Sequence, residues 1–331
     1  MLTEEKQLAW DKKLINQGAH FVQSELYLDW QKNTGQKVFE VEIETENSET
    51  LFRGVEKPLP FGQKFIYSAH GPFINNISDM ENIRKKILEL GQKKQALFIR
   101  YDLVSKIENT ISLKGSKLLT KEFYRRSSIQ PRYEWILPTF SDETEALKKL
   151  PGRTRYFINK ARRGKIEIEI SYEPIKYLED FWQIMNKTST RQSFCLHPKE
   201  YYQTALSSST PTAKPFLTIA RQKEKIIAIH FNIIFGQKAF YVFGGSKEND
   251  SGCSYLLIWE GLNEVSKQSC LEFNLGGING PDNLNPEWQN LTLFKKKFPG
   301  KMFCHNPTYD LPIRPLPYSI YYLSKKMKMK K

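Results

Sequence analysis

The sequence predicts a mixed α/β (α+β) fold organised as two domains. Short runs rich in β-branched and aromatic residues, which are typical of strands, alternate along the chain with stretches of helical periodicity. The chain has 331 residues, of which 40% are apolar, and this is enough for two ordinary hydrophobic cores. The predicted strands are spread over both halves of the chain, which favours a mixed fold in each half.

The predicted elements can be placed in chain order. Strands are predicted at residues 38–43, 65–67, 96–100, 135–137, 166–170, 216–220, 226–231, 239–243 and 271–275. Helices are predicted at residues 80–93, 142–150, 154–164, 175–188 and 255–269. Ser141 and Asp142 supply an N-cap and an acidic first turn, and Gly164 stands where a C-cap is expected. The polar turn at 139–142 is the predicted domain boundary.

The chain is strongly basic, with 50 Lys and Arg against 36 Asp and Glu, a formal net charge of +14. Such a surplus favours a polyanionic partner, although many proteins are basic only for solubility. Residues 148–165 contain eight Lys or Arg and no acid. Such a density of positive charge can occur on a helix face that is simply exposed to solvent, but contact with phosphate groups explains it better.

Several features predict a cytoplasmic protein. The four cysteines are widely spaced, which argues against a zinc site, and the N-terminal residues lack the apolar core of a signal peptide. The basic tail at 325–331 is most simply a solvated end. A peripheral contact with the inner leaflet of the membrane is the alternative interpretation.

One lysine cluster has a pattern that fits catalysis. Lys295, Lys296 and Lys297 lie between Phe294 and Phe298, and a lysine fixed near a reacting carbonyl could stabilise an oxyanion. An ordinary basic turn with two core aromatic residues would give the same pattern. The motifs G-x-S-x-G, G-x-x-x-x-G-K-[ST] and G-x-G-x-x-G do not occur, and neither does the Q/R-x-x-G-x-G/A loop that binds coenzyme A.

A series of segments in the same order resembles the FemABX peptidyltransferases. The segments begin with Phe21-Val-Gln-Ser24, Tyr67-Ser-Ala-His-Gly-Pro72, Gln130-Pro131 and Arg153-Thr-Arg-Tyr-Phe-Ile-Asn-Lys-Ala-Arg-Arg-Gly164. They continue with Thr188-Ser-Thr-Arg191, Tyr201, Tyr241-Val-Phe-Gly-Gly-Ser246, Tyr255-Leu-Leu-Ile-Trp259, Gly276-Gly-Ile278 and Phe294-Lys-Lys-Lys-Phe298. The match covers roughly residues 20–310.

The resemblance implies two tandem GNAT-like domains without the long coiled-coil arm of larger family members. The first domain would comprise residues 1–141 plus about 311–331, and the second residues 142–310. The implied reaction transfers an amino acid from aminoacyl-tRNA to the stem-peptide side-chain amine of a peptidoglycan precursor. No coenzyme A, other cofactor or metal is expected, and the chain is expected to act as a monomer.

The resemblance also implies roles for individual residues. Lys295, beside Phe294, would stabilise negative charge at the aminoacyl ester, and Asp102 would lie near the acceptor amine. The residues implied in tRNA binding are Arg153, Arg155, Lys160, Arg162, Arg163, Lys296 and Lys297.

The acceptor side departs from the family pattern at three positions. Where FemX-like enzymes hold a UDP-sugar with a lysine, an arginine and a tyrosine, this sequence has Gln31 (next to Lys32), His197 and Phe243. Tyr201 is retained, and Tyr241 and Ser246 complete the implied acceptor-binding set. The loss of each group would remove about 1–3 kcal/mol of phosphate binding. Either neighbouring cations such as Lys32 and Lys199 substitute for these groups, or the acceptor is a lipid-linked rather than a UDP-linked precursor, which is the interpretation we favour.

Two other functions fit parts of the same sequence. One is a GNAT-fold N-acyltransferase that acts on another amine. The other is a non-catalytic RNA-binding protein, suggested by the net charge and by residues 148–165.

Overall fold

The computed structural model describes residues 2–45, 48–74, 77–102, 104–105, 129–192, 194–247, 252–282 and 284–328, without the side chains of 77, 80, 105 and 325–328. The helices in this part are Glu4–Asn16 (α1), Glu25–Asn33 (α2), Met80–Lys93 (α3), Glu143–Lys149 (α4), Gly152–Arg163 (α5), Leu178–Gln192 (α6), Lys199–Ser207 (α7), Cys253–Lys267 (α8), Gln289–Lys295 (α9) and Pro315–Lys328 (α10).

The described strands, in chain order, are Lys37–Glu44 (β1), Glu49–Pro58 (β2), Lys64–Ser68 (β3), Phe73–Ile74 (β4), Phe98–Asp102 (β5), Val104–Ser105 (β6), Tyr133–Pro138 (β7), Glu167–Ser171 (β8), Ala213–Gln222 (β9), Lys225–Phe235 (β10), Lys238–Ser246 (β11), Glu272–Gly277 (β12), Lys301–Cys304 (β13) and Thr308–Pro312 (β14). Short 3-10 helices lie at Phe21–Gln23, Ile77–Asp79, Pro174–Tyr177 and Pro286–Trp288. The mixed α/β class predicted from the sequence is therefore confirmed.

The first compact unit consists of residues 1–10, 31–130 and 305–331. Its five-stranded sheet has the order β1-β2-β3-β5-β14, and β4 and β6 form a separate two-stranded sheet. Strands β3 and β5 are parallel, whereas the other neighbours in the larger sheet are antiparallel. The apolar face of α3, with Ile83 and Ile87, packs against this sheet in one hydrophobic cluster.

The second compact unit consists of residues 11–30 and 131–304. Its seven-stranded sheet has the order β13-β7-β12-β11-β10-β9-β8. Only the β11/β12 pair is parallel among the registers described for this sheet. Helix α8 connects these two strands and buries Leu257, Trp259 and Val265 in the hydrophobic cluster of the unit.

The unit limits differ from the predicted domain limits of 1–141 plus about 311–331 and 142–310. Strand β7, which precedes the predicted boundary at 141, pairs with β12 and β13 and so belongs to the second unit. In the opposite direction, β14 pairs with β5 of the first unit, although it follows the whole second unit in sequence. Backbone pairing of distant segments, rather than the polar turn at 139–142, therefore sets where the units divide.

Helix lengths in the described part of the chain are modest. The longest helices there, α6 and α8, have 15 residues each, so the described residues contain no long coiled-coil arm. Among the same residues, no helix has the length and apolar character required to cross a bilayer.

A buried ion pair connects β14 to the rest of the first unit. The Arg100 guanidinium donates from Nε and Nη2 to the two carboxylate oxygens of Asp310, at 2.7 and 2.8 Å. The Tyr318 hydroxyl of α10 also donates to Asp310 Oδ2, at 3.0 Å. Both charged side chains are buried, so each depends on the other to offset the cost of desolvation.

We therefore expect Asp310→Ala to lower the free energy of unfolding by about 3–5 kcal/mol, because it leaves the Arg100 charge buried without its partner. Urea denaturation followed by circular dichroism measures this loss. A matched control is Glu173→Ala, which breaks an exposed ion pair with Lys176 and should cost less than about 1 kcal/mol. Equal losses in the two variants would contradict the role given to the buried pair.

Candidate active site

The site lies where the two parallel strands of the second unit stop pairing. The β11/β12 register covers residues 238–240 opposite 272–274 and ends at Phe240 and Asn274. Beyond Asn274 the register of β12 with β7 also shifts, so that Gly277 lies opposite Glu134. Gly276 has a left-handed φ of 74° at this point, which would cost a residue with a side chain roughly 1–2 kcal/mol. The two strands thus form an opening at their carboxyl ends.

Lys295 places its ammonium group in this opening. It is the last residue of α9 and is only 5% exposed. Its Nζ donates a hydrogen bond to the Gly277 carbonyl oxygen at 2.7 Å, and a Cβ added to Gly276 would lie 3.8 Å from Nζ and 3.6 Å from the Tyr241 carbonyl oxygen. We refer to Tyr241, Gly276, Gly277 and Lys295 together as the strand opening.

Burial changes the acidity of Lys295. Removal from water disfavours the ammonium form and lowers the pKa of Lys295 to about 7, while the negative charge of Glu134 acts in the opposite direction. Near neutral pH the side chain therefore exists in both protonation states. In a site with little water, a positive charge at Nζ interacts strongly with any negative charge that develops nearby.

A buried polar network fixes the backbone beside Lys295. Asn274 accepts a hydrogen bond from the Gly276 amide at 2.7 Å through Oδ1 and donates from Nδ2 to Glu134 Oε2 at 2.7 Å. The other carboxylate oxygen of Glu134 lies 3.5 Å from His20 Nε2. Glu134 and Asn274 are both nearly inaccessible to solvent. Neither residue was predicted from the sequence. The only indication of a functional role was that each is a polar residue within an apolar strand.

The segment after Lys295 is attached to its surroundings by several polar contacts. Thr154 of α5 donates to the Lys297 carbonyl oxygen at 2.8 Å, and Trp135 Nε1 of β7 donates to the Phe298 carbonyl oxygen at 3.0 Å. Lys297 Nζ donates to the Tyr255 hydroxyl at 2.9 Å, and Lys296 Nζ lies 5.8 Å from the centre of the Trp135 ring. The position of Lys295 is thus held by the neighbouring residues on its C-terminal side.

Phe294 does not share the environment of Lys295. Its ring meets the rings of Tyr255 and Phe298 edge to face, at centroid distances of 5.1 and 6.0 Å. Because it packs against the hydrophobic cluster of the second unit, its described contacts support the position of α9. A direct role at an ester remains a prediction for this residue.

The basic residues of α5 fall into two groups. Arg162 donates to Glu143 and Glu260 at 3.1 and 2.9 Å, and Arg155 Nη1 donates to the Lys148 carbonyl oxygen at 2.7 Å. Arg153 and Lys160 instead lie over the Phe157 ring, each 5.9 Å from its centre.

The Phe157 ring stacks on Tyr255 at 4.8 Å and 15°. Since Tyr255 also contacts Lys297 and Phe294, the aromatic pair joins the cations of α5 to the segment that carries Lys295. Arg163, at the end of α5, is exposed. We call Arg153, Phe157, Lys160, Tyr255 and Lys297 the basic aromatic surface.

Five of the eight residues predicted to bind the acceptor lie in the second unit: His197, Tyr201, Tyr241, Phe243 and Ser246. His197 is exposed and stacks on Tyr201 at 4.0 Å and 24°, and Tyr201 lies 6.4 Å from Phe243. Trp30, which sequence analysis missed, lies 5.0 Å from Tyr201 and 5.8 Å from Phe243. The Ser246 carbonyl oxygen accepts hydrogen bonds from Arg191 and Thr188, at 2.9 and 3.2 Å.

Tyr241 is next to a histidine rather than a charged group. The rings of Tyr241 and His230 are 4.8 Å apart and nearly perpendicular. Burial lowers the pKa of His230 to about 3 and raises the pKa of Tyr241 above its usual value. Both side chains are therefore neutral at pH 7, and neither is suited to proton transfer there.

The other three predicted acceptor residues belong to the first unit. Asp102, at the end of β5, is buried and accepts hydrogen bonds from the Tyr67 hydroxyl at 2.5 Å and the Thr308 hydroxyl at 2.6 Å. Burial raises the pKa of Asp102, an effect that these two hydrogen bonds oppose. Gln31 is buried in α2, whereas Lys32 is exposed.

We compared the chain with protein-family models, curated sequences and solved structures. The family model described as the FemAB family matches residues 105–221 and 207–326. A comparison with curated protein sequences gives no match. Among solved structures, the chain is similar to a crystal structure of FemX, with a TM-score of 0.78 and 15% identity over 97% of this chain and 98% of that chain.

Two other solved structures show the same fold more distantly. L-PGS from Bacillus licheniformis has a TM-score of 0.55 and 13% identity, over 98% of this chain and 96% of that one. A tandem GNAT protein from the clavulanic acid biosynthesis pathway has a TM-score of 0.50 and 8% identity, over 84% and 83% of the two chains. At these identities the likeness concerns the fold, and it confirms the predicted tandem GNAT-like architecture.

The lowered pKa of Lys295 predicts how stability depends on pH. In the unfolded chain the pKa of a lysine is about 10.4. Between about pH 7 and 10 the unfolded state therefore binds more protons at this residue than the folded state does. The contribution of Lys295 to the free energy of unfolding should therefore rise with pH, by at most about 1.4 kcal/mol per pH unit.

Lys295→Met removes this titration and should be at least as stable as the native protein at pH 7, because it also removes a buried charge. Urea denaturation of both proteins at about pH 7, 8 and 9 gives the difference in their free energies of unfolding. The difference should shift in favour of the native chain as pH rises. A difference that does not change with pH would contradict the burial effect on Lys295.

Proposed function

The chain belongs to the FemAB family, and on this premise we propose that it transfers an amino acid from aminoacyl-tRNA to the stem-peptide side-chain amine of a peptidoglycan precursor. The observation that carries the proposal is the buried ammonium of Lys295 in the strand opening. These substrates would place the reaction in the cytoplasm.

Lys295 fits the electrostatic requirement of the reaction. The acceptor amine attacks the ester carbonyl carbon, a C–N bond forms, and the carbonyl oxygen becomes negatively charged in the tetrahedral intermediate. The C–O bond to the tRNA ribose then breaks, and the proton lost by the amine goes to the ribose oxygen. A Lys295 ammonium beside the carbonyl oxygen would stabilise the intermediate more than the ester, and only such a difference accelerates the reaction.

The strand opening supplies a suitable place for the acyl group. The Gly277 carbonyl oxygen directs the Lys295 ammonium by a hydrogen bond at 2.7 Å, and both Lys295 Nζ and the Tyr241 carbonyl oxygen lie within 4 Å of where a side chain on Gly276 would begin. Because only the ammonium form provides the charge, we expect transfer to require protonated Lys295. Binding of an anionic donor would raise the protonated fraction, since a nearby negative charge favours the ammonium.

The basic aromatic surface supports binding of the donor through its RNA. The Arg153 and Lys160 side chains lie over the Phe157 ring, and the Lys297 ammonium lies over the Tyr255 ring, so that cations and aromatic rings are adjacent on this surface. Cations bind the phosphate backbone, and aromatic rings can stack on unpaired bases such as those at the end of tRNA. Arg162 differs, because two glutamates already neutralise it.

The acceptor side supports a lipid-linked precursor rather than a UDP-linked one. The surface around the exposed His197 and the half-buried Tyr201 and Phe243 offers stacked rings in place of the cations that would hold the pyrophosphate of a soluble UDP precursor, whereas the pyrophosphate of a lipid-linked precursor can stay at the membrane surface. Aromatic faces suit sugar rings and other weakly polar groups better than doubly charged phosphates. The buried Asp102 carboxyl is proposed to orient the acceptor amine. A general base is not required, because an amine that attacks an activated ester can lose its proton to the ribose oxygen.

Variants of α5 distinguish the two groups of cations. Arg153→Ala should weaken tRNA binding and reduce the slope of log affinity against log salt by about 1. Arg162→Ala is the matched control on the same helix and should leave the slope unchanged, because its charge is already paired. Fluorescence anisotropy with labelled tRNA over a range of salt concentrations measures the slopes. A larger effect of Arg162→Ala would overturn the proposed surface.

The reaction itself can be tested with total charged tRNA and both acceptor forms, followed by mass spectrometry of the acceptor peptides. The proposal predicts incorporation that depends on charged tRNA and falls by about 10²–10³ in the well-folded Lys295→Met variant. Incorporation that survives RNase would rule out the tRNA donor and favour an N-acyltransferase of another kind. Binding of tRNA without any product would favour a non-catalytic RNA-binding protein.

A further inference from the structure

Helix α10 carries an exposed apolar stripe on the first unit. Leu316, Ile320 and Leu323 are 80%, 70% and 56% exposed. Their spacing of four and three residues places them on one face of the helix, where Ser319 and Ser324 flank them. Soluble proteins rarely expose a contiguous row of large apolar side chains without a binding partner.

The opposite face of α10 is firmly packed, so the stripe is not a consequence of a loose helix. The Tyr318 ring is buried, and the rings of Tyr318 and Tyr321 each lie 5.3 Å from Phe98 of β5. The Tyr318 hydroxyl also donates to Asp310, the partner of Arg100. These contacts fix the rotation of α10 about its axis, and therefore the direction in which the stripe faces.

A second exposed apolar group lies next to the start of this helix. Phe61, in the turn between β2 and β3, is 98% exposed and has a left-handed φ of 58°. This conformation is unfavourable for an aromatic residue, and the exposed ring gains nothing from packing. Arg314, the residue before α10, donates to Gln63 of the same turn at 2.9 Å. The hydrogen bond brings the turn of Phe61 beside the beginning of the stripe.

Positively charged residues come before and after the apolar stripe in the sequence. Arg314 precedes the stripe and is exposed, and five of the last seven residues of the sequence are lysines. Charge alone would suit RNA as well as lipid, but an apolar stripe has no use in binding a phosphate backbone. Apolar side chains that enter the acyl boundary, with cations at the level of anionic headgroups, are the features of a helix that lies on a bilayer.

We propose that α10 and the turn of Phe61 form a docking surface for an anionic membrane. Leu316, Ile320, Leu323 and Phe61 would enter the boundary between headgroups and acyl chains, and Arg314 would bind the lipid phosphates. The positive charge of the C-terminal sequence would add a general attraction to anionic lipid. Either contribution alone gives weak attachment, so stable binding requires both. The proposal is independent of the reaction proposed above, because it rests only on the surface of the first unit.

The test is co-sedimentation of the full-length chain with vesicles of phosphatidylcholine, alone or mixed with an equal part of phosphatidylglycerol. The native chain should bind the mixed vesicles and lose most of this binding at high salt. The triple variant L316S/I320S/L323S should bind about tenfold or more weakly, and truncation after Ser324 should remove most of the salt dependence. Phe61→Ser should weaken binding to a smaller degree.

The matched control is the double variant L284S/I175S, which replaces exposed apolar side chains (76% and 41% exposed) of the second unit and should bind like the native chain. Thermal unfolding checks that each variant is folded. Native-like vesicle binding by the triple variant would overturn the proposal. Analytical ultracentrifugation without vesicles provides the other decisive outcome: self-association that the triple variant abolishes, without vesicle binding by the native chain, would assign the stripe to a second copy.

Discussion

The position of the Lys295 ammonium in the strand opening is the constraint on which the candidate site depends. A charge that is removed from water needs a nearby acceptor, and the Gly277 carbonyl oxygen provides one at 2.7 Å. That oxygen is in place because Gly276 turns the backbone, and Asn274 and Glu134 hold the turn. Strands β7 and β12 and helix α9 must therefore all be correctly folded before Lys295 has a partner.

The two compact units use the same arrangement of strands. In each unit, one parallel pair is joined by a helix within an otherwise antiparallel sheet, and a candidate functional residue lies at the carboxyl ends of that pair. The second unit places the Lys295 amine there, and the first unit places the Asp102 carboxyl there, hydrogen-bonded to Tyr67. Burial moves the pKa of each group towards neutrality, which is common for residues at functional sites.

The sequence was sufficient to predict elements that have a clear apolar period. Helix α3 was predicted with its observed limits, and the Asp142 cap and the Gly164 stop of neighbouring helices are both present. Strand β2 was missed because its polar residues are buried in ion pairs, such as Arg53 with Glu40, that only the fold brings together. Strand β14 was missed for a similar reason, since Asp310 is buried only because Arg100 faces it.

Lys295 was selected as a candidate from its local pattern together with the family resemblance, whereas the polar network beside it was not predicted. Lys295 could be singled out because two aromatic residues flank its cluster, but Glu134 and Asn274 look unremarkable until β7 and β12 are paired. Arg162 was expected to bind tRNA from the family resemblance and the charge density of its segment, and its two glutamate partners come from α4 and α8. Distant pairing of this kind is not visible in a single sequence.

We propose that Lys295 stabilises the tetrahedral intermediate rather than the bound ester. Its most direct test compares the affinity of the native chain and Lys295→Met for two RNA 3′-end analogues, one with a stable amide in place of the ester and one with a tetrahedral phosphonate. The variant should lose about 10²–10³ in affinity for the phosphonate and little for the amide. Equal losses for both analogues would show that Lys295 only binds the donor, and no loss for the phosphonate would contradict its assigned role.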